Sequence, residues 1–181
     1  MATLKNVIFI GGASASGKST TAQKLASQTG RPYLELDRIF NSVVDIASDG
    51  GIPDKVCKDI AKGVSLEFAR ALIENETQSV VEGGWILPEA AAGLASDGGF
   101  QAVYYGYTGI EPYLKLQSIK SKPDNQHWLA EKPEACALNF LRCQIEGSRW
   151  YRAECQKHGL PYFDFSDQTD GASKLLDYFL K

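Results

Sequence analysis

Short apolar runs bounded by polar residues alternate along the chain with longer stretches in which apolar positions recur every three or four residues. The longer stretches predict helices near residues 17–30, 54–75, 110–122, 134–158 and 172–181. The short runs predict five β-strands, near residues 6–12, 31–37, 78–86, 100–107 and 161–165. Such alternation is typical of the α/β class, in which helices cover both faces of a parallel sheet.

The helix predicted near residues 54–75 has a row of large apolar side chains at helical spacing, namely Val56, Ile60, Val64, Phe68 and Leu72. Residues 120–128 instead combine charge, proline and asparagine without periodicity, which predicts a mobile loop. The sequence has no internal repeat, and its 181 residues suit a single domain spanning residues 1–181.

The overall composition narrows the class of protein. A formal net charge of −3 argues against general nucleic-acid binding, which requires a basic surface. No apolar run approaches the ~20 residues of a membrane span, and "VIFI" at residues 7–10 is too short for a secretory signal. The four cysteines form no C-x-x-C pair, so we expect reduced thiols rather than a zinc site. These features predict a cytoplasmic protein.

A glycine-rich segment follows the first predicted strand directly. Residues 12–19 read Gly-Ala-Ser-Ala-Ser-Gly-Lys-Ser and match the P-loop pattern G-x-x-x-x-G-K-[ST] at every fixed position. Small side chains let the backbone N–H groups of such a loop wrap around a polyphosphate. We expect Lys18 to reach the β- and γ-phosphates and the Ser19 hydroxyl to bind Mg²⁺. The predicted nucleotide-binding residues are Gly12, Ala13, Ser14, Ala15, Ser16, Gly17, Lys18, Ser19 and Thr20.

Other motifs separate the classes of nucleotide-binding protein. The N-K-x-D and D-x-x-G motifs of GTPases, the L-S-G-G signature of ABC ATPases and the G-x-G-x-x-G dinucleotide fingerprint are absent from the sequence. Acidic residues at the ends of the second and third strands, followed by helices rich in arginine and lysine, resemble the small P-loop kinases, such as adenylate, shikimate and gluconate kinases.

This resemblance implies a P-loop NTPase fold with three αβα layers, a five-stranded parallel sheet of order 2-3-1-4-5 and a helical lid. It also implies that the protein uses ATP and Mg²⁺ and transfers the γ-phosphoryl group of ATP to a small-molecule acceptor. By the same resemblance, helices near residues 40–75 would bind the acceptor, and the lid would lie near residues 110–157.

Two segments resemble shikimate kinases in particular. "LELD" at residues 34–37 resembles the D-x-D that ends the second strand there, which implies that Glu35 helps to organise Mg²⁺ and that Asp37 faces the acceptor hydroxyl. The alternation of a strand would place these two side chains on the same side. "EFARALIENETQSVVEGGW" resembles the helix arginine and glycine-rich strand end of that family, which implies acceptor contacts from Arg70, Gly83 and Gly84.

Trp85 departs from this pattern, because shikimate kinases continue there with a third glycine. A bulky indole would change the acceptor pocket, which argues against shikimate itself. Glu82 ends the third apolar run, a position suited to a partner of Mg²⁺-bound water or to a general base. Either Asp37 or Glu82 could therefore be the base.

Three arginines lie along one side of the helix predicted at residues 134–158. Arg142, Arg149 and Arg152 are spaced by seven and three residues. Lids of small P-loop kinases use such arginines to neutralise charge on the transferring phosphoryl group, so Arg142 and Arg149 are candidate catalytic residues. Surface pairing is the alternative interpretation, because Glu146 lies four residues after Arg142 and three before Arg149.

Two rival functions stay open at this point. One is a nucleoside monophosphate kinase, and the other is an ATP-binding regulator whose hydrolysis of ATP drives a switch. A kinase forms ADP only when its acceptor is present, whereas a switch hydrolyses ATP alone or with a protein partner. The sequence leaves the acceptor, the preference for ATP over GTP and the oligomeric state open.

Overall fold

The computed structural model describes residues 4–121, 127–166 and 171–180. Within these residues five strands form one parallel sheet: β1 (Val7–Gly12), β2 (Tyr33–Glu35), β3 (Ser79–Glu82), β4 (Phe100–Gly106) and β5 (Tyr162–Asp164). Their order across the sheet is β2-β3-β1-β4-β5. The α/β class and the strand order implied by the resemblance are therefore confirmed.

Helices cover both faces of this sheet. The described helices are α1 (Lys18–Thr29), α2 (Leu36–Asp49), α3 (Asp54–Glu74), α4 (Pro88–Ser96), α5 (Pro112–Lys120), the 3₁₀ helix Trp128–Glu131, α6 (Glu134–His158) and α7 (Gly171–Leu180). Ile8 and Ile10 of β1 pack with α1 and α7, whereas Val7 and Phe9 belong to the cluster that includes α3, α4 and α6. The result is the three-layer αβα arrangement. No helix of the described residues is long and apolar enough to cross a bilayer.

The central strand β1 is buried along its whole length. It pairs with β3 on one side, with Ile10 opposite Glu82, and with β4 on the other, with Gly12 opposite Tyr105. The strand order reverses beside β1, and ligands of open α/β sheets bind outside the carboxyl ends of the strands at such a point. The loop after Gly12 begins at that edge.

The structure corrects the interpretation of residues 31–37. β2 ends at Glu35 and α2 begins at Leu36, so Asp37 lies in the first turn of a helix. The prediction that Glu35 and Asp37 share one side of a strand was therefore wrong. β2 is an edge strand of three residues, and burial of Leu36 and Phe40 stabilises the helical alternative.

Other boundaries also differ from the sequence-based ones. β3 stops at Glu82 rather than near residue 86. The apolar pattern did not predict α4, and it did not predict α2, although α2 overlaps the range near residues 40–75 in which the resemblance implied helices. α4 begins with proline at its first turn, a position where proline suits a helix because the missing N–H has no intrahelical acceptor there. Of the predicted mobile loop 120–128, residues 122–126 lie outside the described residues.

The apolar row of α3 is only partly used by the core. α3 buries the small side chains of Cys57, Ala61, Ser65 and Ala69. Leu72 packs against the core cluster, but the rest of the row is exposed, namely Val56, Ile60, Val64 and Phe68.

Candidate active site

The P-loop leaves β1 at Gly12 and enters α1 at Lys18. Gly12 has a φ of 117°, and a Cβ there would overlap the carbonyl oxygen of Tyr105. Ala15 and Gly17 also have left-handed φ values, of 60° and 92°. A left-handed alanine costs about 1–2 kcal/mol, and backbone strain of this kind concentrates at ligand-binding loops.

Lys18 folds back across the loop that precedes it. The residue is buried, and its Nζ donates a hydrogen bond to the Ala13 carbonyl oxygen at 3.1 Å. The Ala13 N–H donates to the Tyr105 carbonyl oxygen at 2.9 Å, which ties the loop to β4. Within the described residues, the backbone N–H groups of residues 15–17 have no protein acceptor. These donors are available to phosphate oxygens.

Ser19, Tyr33 and Glu82 form a hydrogen-bonded group beside the P-loop. The hydroxyls of Ser19 and Tyr33 both donate to Glu82 Oε1, at 3.0 and 3.2 Å. Glu82 is 1% exposed, and its second oxygen, Oε2, has no hydrogen-bond partner within the described residues. The strand register pairs Glu82 with Glu35, so two carboxylates lie side by side at this edge of the sheet.

The surroundings of Glu82 favour its protonated form. Burial raises the pKa of the carboxyl, the positive charge of Lys18 opposes that shift, and the negative charges of Asp37 and Glu35 add to it. A divalent cation at this point would reverse the balance, because its charge favours the carboxylate.

The chemistry of this group fits Mg²⁺. The described residues contain no group of three or more His, Cys, Asp or Glu side chains that could hold a metal by itself. Mg²⁺ does not need one, because it commonly binds one or two carboxylates together with substrate phosphates and water. The Ser19 hydroxyl and the unpartnered Glu82 Oε2 supply oxygen atoms of that kind.

Asp37 reaches the glycine pair after β3 from the first turn of α2. Its Oδ1 accepts a hydrogen bond from the Gly84 N–H at 2.6 Å. A Cβ at Gly83 would lie 3.1 Å from this oxygen and 3.2 Å from Leu36 Cβ, so glycine permits the close approach of α2. The Tyr151 hydroxyl donates to the Gly84 carbonyl oxygen at 3.3 Å. Gly84 therefore connects Asp37 of α2 with Tyr151 of α6 through its N–H and its carbonyl oxygen.

Two cavities flank the P-loop. The Lys115 cavity has a volume of about 210 Å³ and is lined by residues 15–20 together with Lys115, Ser118, Ile119 and His127. The Asp37 cavity, also of about 210 Å³, is lined by Gly12, Ala13, Ser14, Asp37, Asn41, Gly84, Trp85, Gln144 and Tyr151. The start of the P-loop thus faces one cavity and its end faces the other.

The inner face of α6 closes the Asp37 cavity, and sequence reasoning missed it. Gln144 Oε1 accepts a hydrogen bond from the Ser14 N–H at 2.9 Å, and Ser148 Oγ accepts one from the Tyr107 N–H at 3.1 Å. Tyr151 completes the face. Gln144, Ser148 and Tyr151 are spaced by four and three residues, a polar row at helical spacing that could have marked this face.

Two further residues complete the Asp37 cavity. Asn41 lies one helical turn after Asp37, so its side chain shares that face of α2. Sequence reasoning missed Asn41 and marked Trp85 only as a departure from a family pattern. Asn41 reaches the cavity because residues 36–49 form α2. The sequence had predicted a strand over residues 31–37, which includes the first turn of this helix.

Arg70 lies away from both cavities in the described chain. It is exposed on α3 and pairs with Glu67 at 2.6 Å. The helix turns its small residues, among them Ala69, toward the core. An acceptor contact from Arg70 stays a prediction that would require movement of α3.

The arginines of α6 also lie outside the two cavities within the described residues. Arg149 pairs with Glu146 and donates to the Thr108 carbonyl oxygen at 3.2 Å. With Arg152 it lines a separate cavity of about 270 Å³. Arg142 is exposed. The lid role of Arg142 and Arg149 stays a prediction, because the structure brings neither to the P-loop.

The sheet and the P-loop together define a class of fold. A P-loop between the first strand and first helix of a parallel 2-3-1-4-5 sheet is the arrangement that the small P-loop kinases share, and the resemblance to them is confirmed at the level of the fold. The profile of the isopentenyl transferase family matches residues 5–63, which span the P-loop, β2 and α2. No curated protein matches the sequence significantly.

Solved structures show the same fold over nearly the whole chain. A shikimate kinase from Bacteroides thetaiotaomicron is 14% identical with a TM-score of 0.65, covering 98% of this chain and 100% of its own. A shikimate kinase from Acinetobacter baumannii in complex with shikimate is 22% identical, with a TM-score of 0.55 and coverage of 98% and 94%. A gluconokinase from Sinorhizobium meliloti 1021 is 16% identical, with a TM-score of 0.56 and coverage of 97% and 95%.

Proposed function

We propose that this protein is a kinase that transfers the γ-phosphoryl group of ATP, in the presence of Mg²⁺, to a small molecule in the Asp37 cavity. The observation that carries the proposal is the position of the P-loop between two cavities. The Lys115 cavity borders the P-loop residues that bind phosphates, and the Asp37 cavity places a carboxylate at the other end of the same loop.

The P-loop residues would bind the nucleotide. The N–H groups of residues 15–17 donate to phosphate oxygens, and Lys18 exchanges the Ala13 carbonyl oxygen for the β- and γ-phosphates. Ser19 and Glu82 hold Mg²⁺, with Glu35 beside them. Mg²⁺ supplies positive charge against the phosphate oxygens when it is bound.

Asp37 would act on the acceptor as the general base. It accepts the proton of the acceptor hydroxyl while the hydroxyl oxygen bonds to the γ-phosphorus. The bond from that phosphorus to the bridging oxygen breaks, and ADP leaves with the electron pair. The hydrogen bond from the Gly84 N–H to Oδ1 holds the carboxylate in place and leaves Oδ2 for the hydroxyl.

Different elements of the single domain would bind the acceptor and form the lid. Helices near residues 40–75 border the acceptor through Asn41, and the region near residues 110–157 forms the lid. Lys115, which lies in the proposed lid region, lines the cavity named after it. Its Nζ lies 4.6 Å from the centre of the Tyr107 ring.

The isopentenyl transferase profile supports a second candidate, because its match covers the P-loop. In that case the P-loop would hold the phosphate groups of an isopentenyl donor, and carbon rather than phosphorus would be transferred. The Ser19–Glu82 pair suits either reaction, since both place phosphate groups and Mg²⁺ beside it.

Acceptor-dependent ADP formation tests the proposal. The purified protein is incubated with ATP and Mg²⁺, alone and with a panel of small hydroxyl compounds including nucleoside monophosphates. ADP that forms only with a small acceptor supports a kinase, and ADP that forms equally without one indicates an ATP-hydrolysing regulator. Diphosphate release from an isopentenyl donor with no ADP formation would indicate the second candidate.

A further inference from the structure

The Asp37 cavity is lined by several hydrogen-bonding side chains together with a tryptophan. Asp37 Oδ1 and Gln144 Oε1 each accept a hydrogen bond from a backbone N–H group. The other polar atoms of these side chains, Asp37 Oδ2 and the Gln144 N–H₂ group, have no hydrogen bond within the described residues. Asn41 adds a second amide, and Trp85 forms the aromatic wall. Carboxylate and amide groups around a ring recognise several hydroxyls on one small molecule.

Charge restricts the ligand further. Asp37 contributes a carboxylate to the cavity itself, and the described residues that line the cavity include no lysine or arginine. A carboxylate or phosphate group on the acceptor would be repelled by Asp37 and would find no cation of the lining to pair with.

We infer that the acceptor is an uncharged polyhydroxy compound, a small sugar or polyol, with one face against Trp85. The hydroxyl that receives the phosphoryl group lies on Asp37, and neighbouring hydroxyls accept from Gln144 and Asn41. This inference rests on the proposed kinase activity and adds the class of acceptor to it. Gln144 also connects acceptor and nucleotide, since its other end holds the P-loop through Ser14.

A panel of matched compounds tests the inference. Each neutral sugar or polyol of three to six carbons is paired with the corresponding sugar acid and sugar phosphate, and ADP formation is measured with ATP and Mg²⁺. We expect at least one neutral member to be used with a kcat/KM at least tenfold above those of its anionic counterparts. An anionic member used as well or better overturns the inference, and so does a panel in which no neutral member is used.

Variants of Asn41 test whether the charge of the cavity determines the preference for neutral acceptors. Asn41→Arg places a cation in the cavity and should shift the ratio of neutral to acidic acceptor by at least tenfold toward the acid, whereas Asn41→Ala should lower activity without that shift. An unchanged ratio in Asn41→Arg contradicts the assignment of the cavity. Failure of the kinase proposal itself would appear separately, as absence of ATP binding in titrations without any acceptor.

Discussion

The Lys115 cavity and the Asp37 cavity lie on opposite sides of the P-loop and are built in different ways. Six residues of the Lys115 cavity are consecutive, so a single loop-to-helix turn assembles most of it. The Asp37 cavity draws on four separate parts of the chain: the P-loop, α2, the glycine pair and α6. Backbone N–H groups at a helix start recognise phosphate in any nucleotide, whereas side chains from separate elements can select one acceptor. The general part of the reaction is thus local in sequence and the specific part is not.

The largest effect is expected on the nucleotide side of this comparison. Lys18→Ala should lower turnover by roughly 10²-fold or more, as expected for removal of a preorganised transition-state donor. The fold should survive, because Lys18 bonds only to the loop it crosses. ADP formation and a thermal melt measure the two effects, with Lys24→Ala on the exposed side of α1 as control. Normal turnover in Lys18→Ala would remove the basis of the P-loop assignment.

The next effect should fall on the acceptor side alone. Asp37→Asn keeps an oxygen for the Gly84 N–H but loses the base, so turnover should fall by about 10²-fold while ATP affinity stays nearly unchanged. Titration with an ATP analogue and steady-state kinetics separate these quantities. Asp45→Asn, at an exposed aspartate of the same helix, is the control. Loss of ATP binding in Asp37→Asn would assign this residue to the nucleotide and Mg²⁺ instead.

Substitution of Glu82, the proposed Mg²⁺ ligand, should lower turnover less than Lys18→Ala or Asp37→Asn does. Glu82→Gln keeps oxygen for Ser19 and Tyr33 but weakens Mg²⁺ binding, so we expect about a tenfold higher Mg²⁺ requirement. Restoration of turnover by excess Mg²⁺ would agree with this role. An unchanged Mg²⁺ dependence would argue against it.

The same residue predicts how stability depends on pH. Because its pKa is raised in the folded protein, Glu82 binds its proton more tightly there than in the unfolded chain. The ligand-free protein should therefore lose stability as the pH rises from about 4.5, the ordinary value, through the raised folded pKa. Urea unfolding at pH 5 and pH 7 should show a smaller loss in Glu82→Gln than in the wild type. Equal losses would mean that other groups control the pH dependence.

The difference between the two cavities also explains which site residues could be predicted from the sequence. The P-loop was predicted because its eight residues carry their own chemistry in consecutive positions, and Glu82 was found because an acidic residue ends an apolar run. Asn41 was missed because nothing local marks it, and its role depends on how α2 packs. Gln144 belongs to a polar row at helical spacing, but the cavity that this row faces depends on how α6 packs. Asp37 was found for the wrong local reason, since tertiary burial of Leu36 and Phe40 turned an expected strand into a helix.

The smallest expected effect concerns Arg149 on the outer side of α6. If the region near residues 110–157 is a lid, Arg149 leaves Glu146 and the Thr108 carbonyl oxygen on closure and reaches the phosphates only in the transition state. Arg149→Ala and Arg149→Lys should both lower turnover several-fold, about 3- to 10-fold, since lysine keeps the charge but not the planar fork of donors. The unfolding free energy should change by under about 1 kcal/mol, because the pair with Glu146 is exposed.

Surface pairing makes the opposite forecast for Arg149 and supplies the control. If the arginine serves only the ion pair, kinetics stay normal in both variants, and Glu146→Ala reproduces their small stability change. Hydrogen exchange tests the lid without any acceptor, because ATP and Mg²⁺ should protect α6 from exchange if closure brings it to the phosphates. Protection of the P-loop alone, with α6 unchanged, would leave Arg149 as a surface residue and confine the transition-state charges to Lys18 and Mg²⁺.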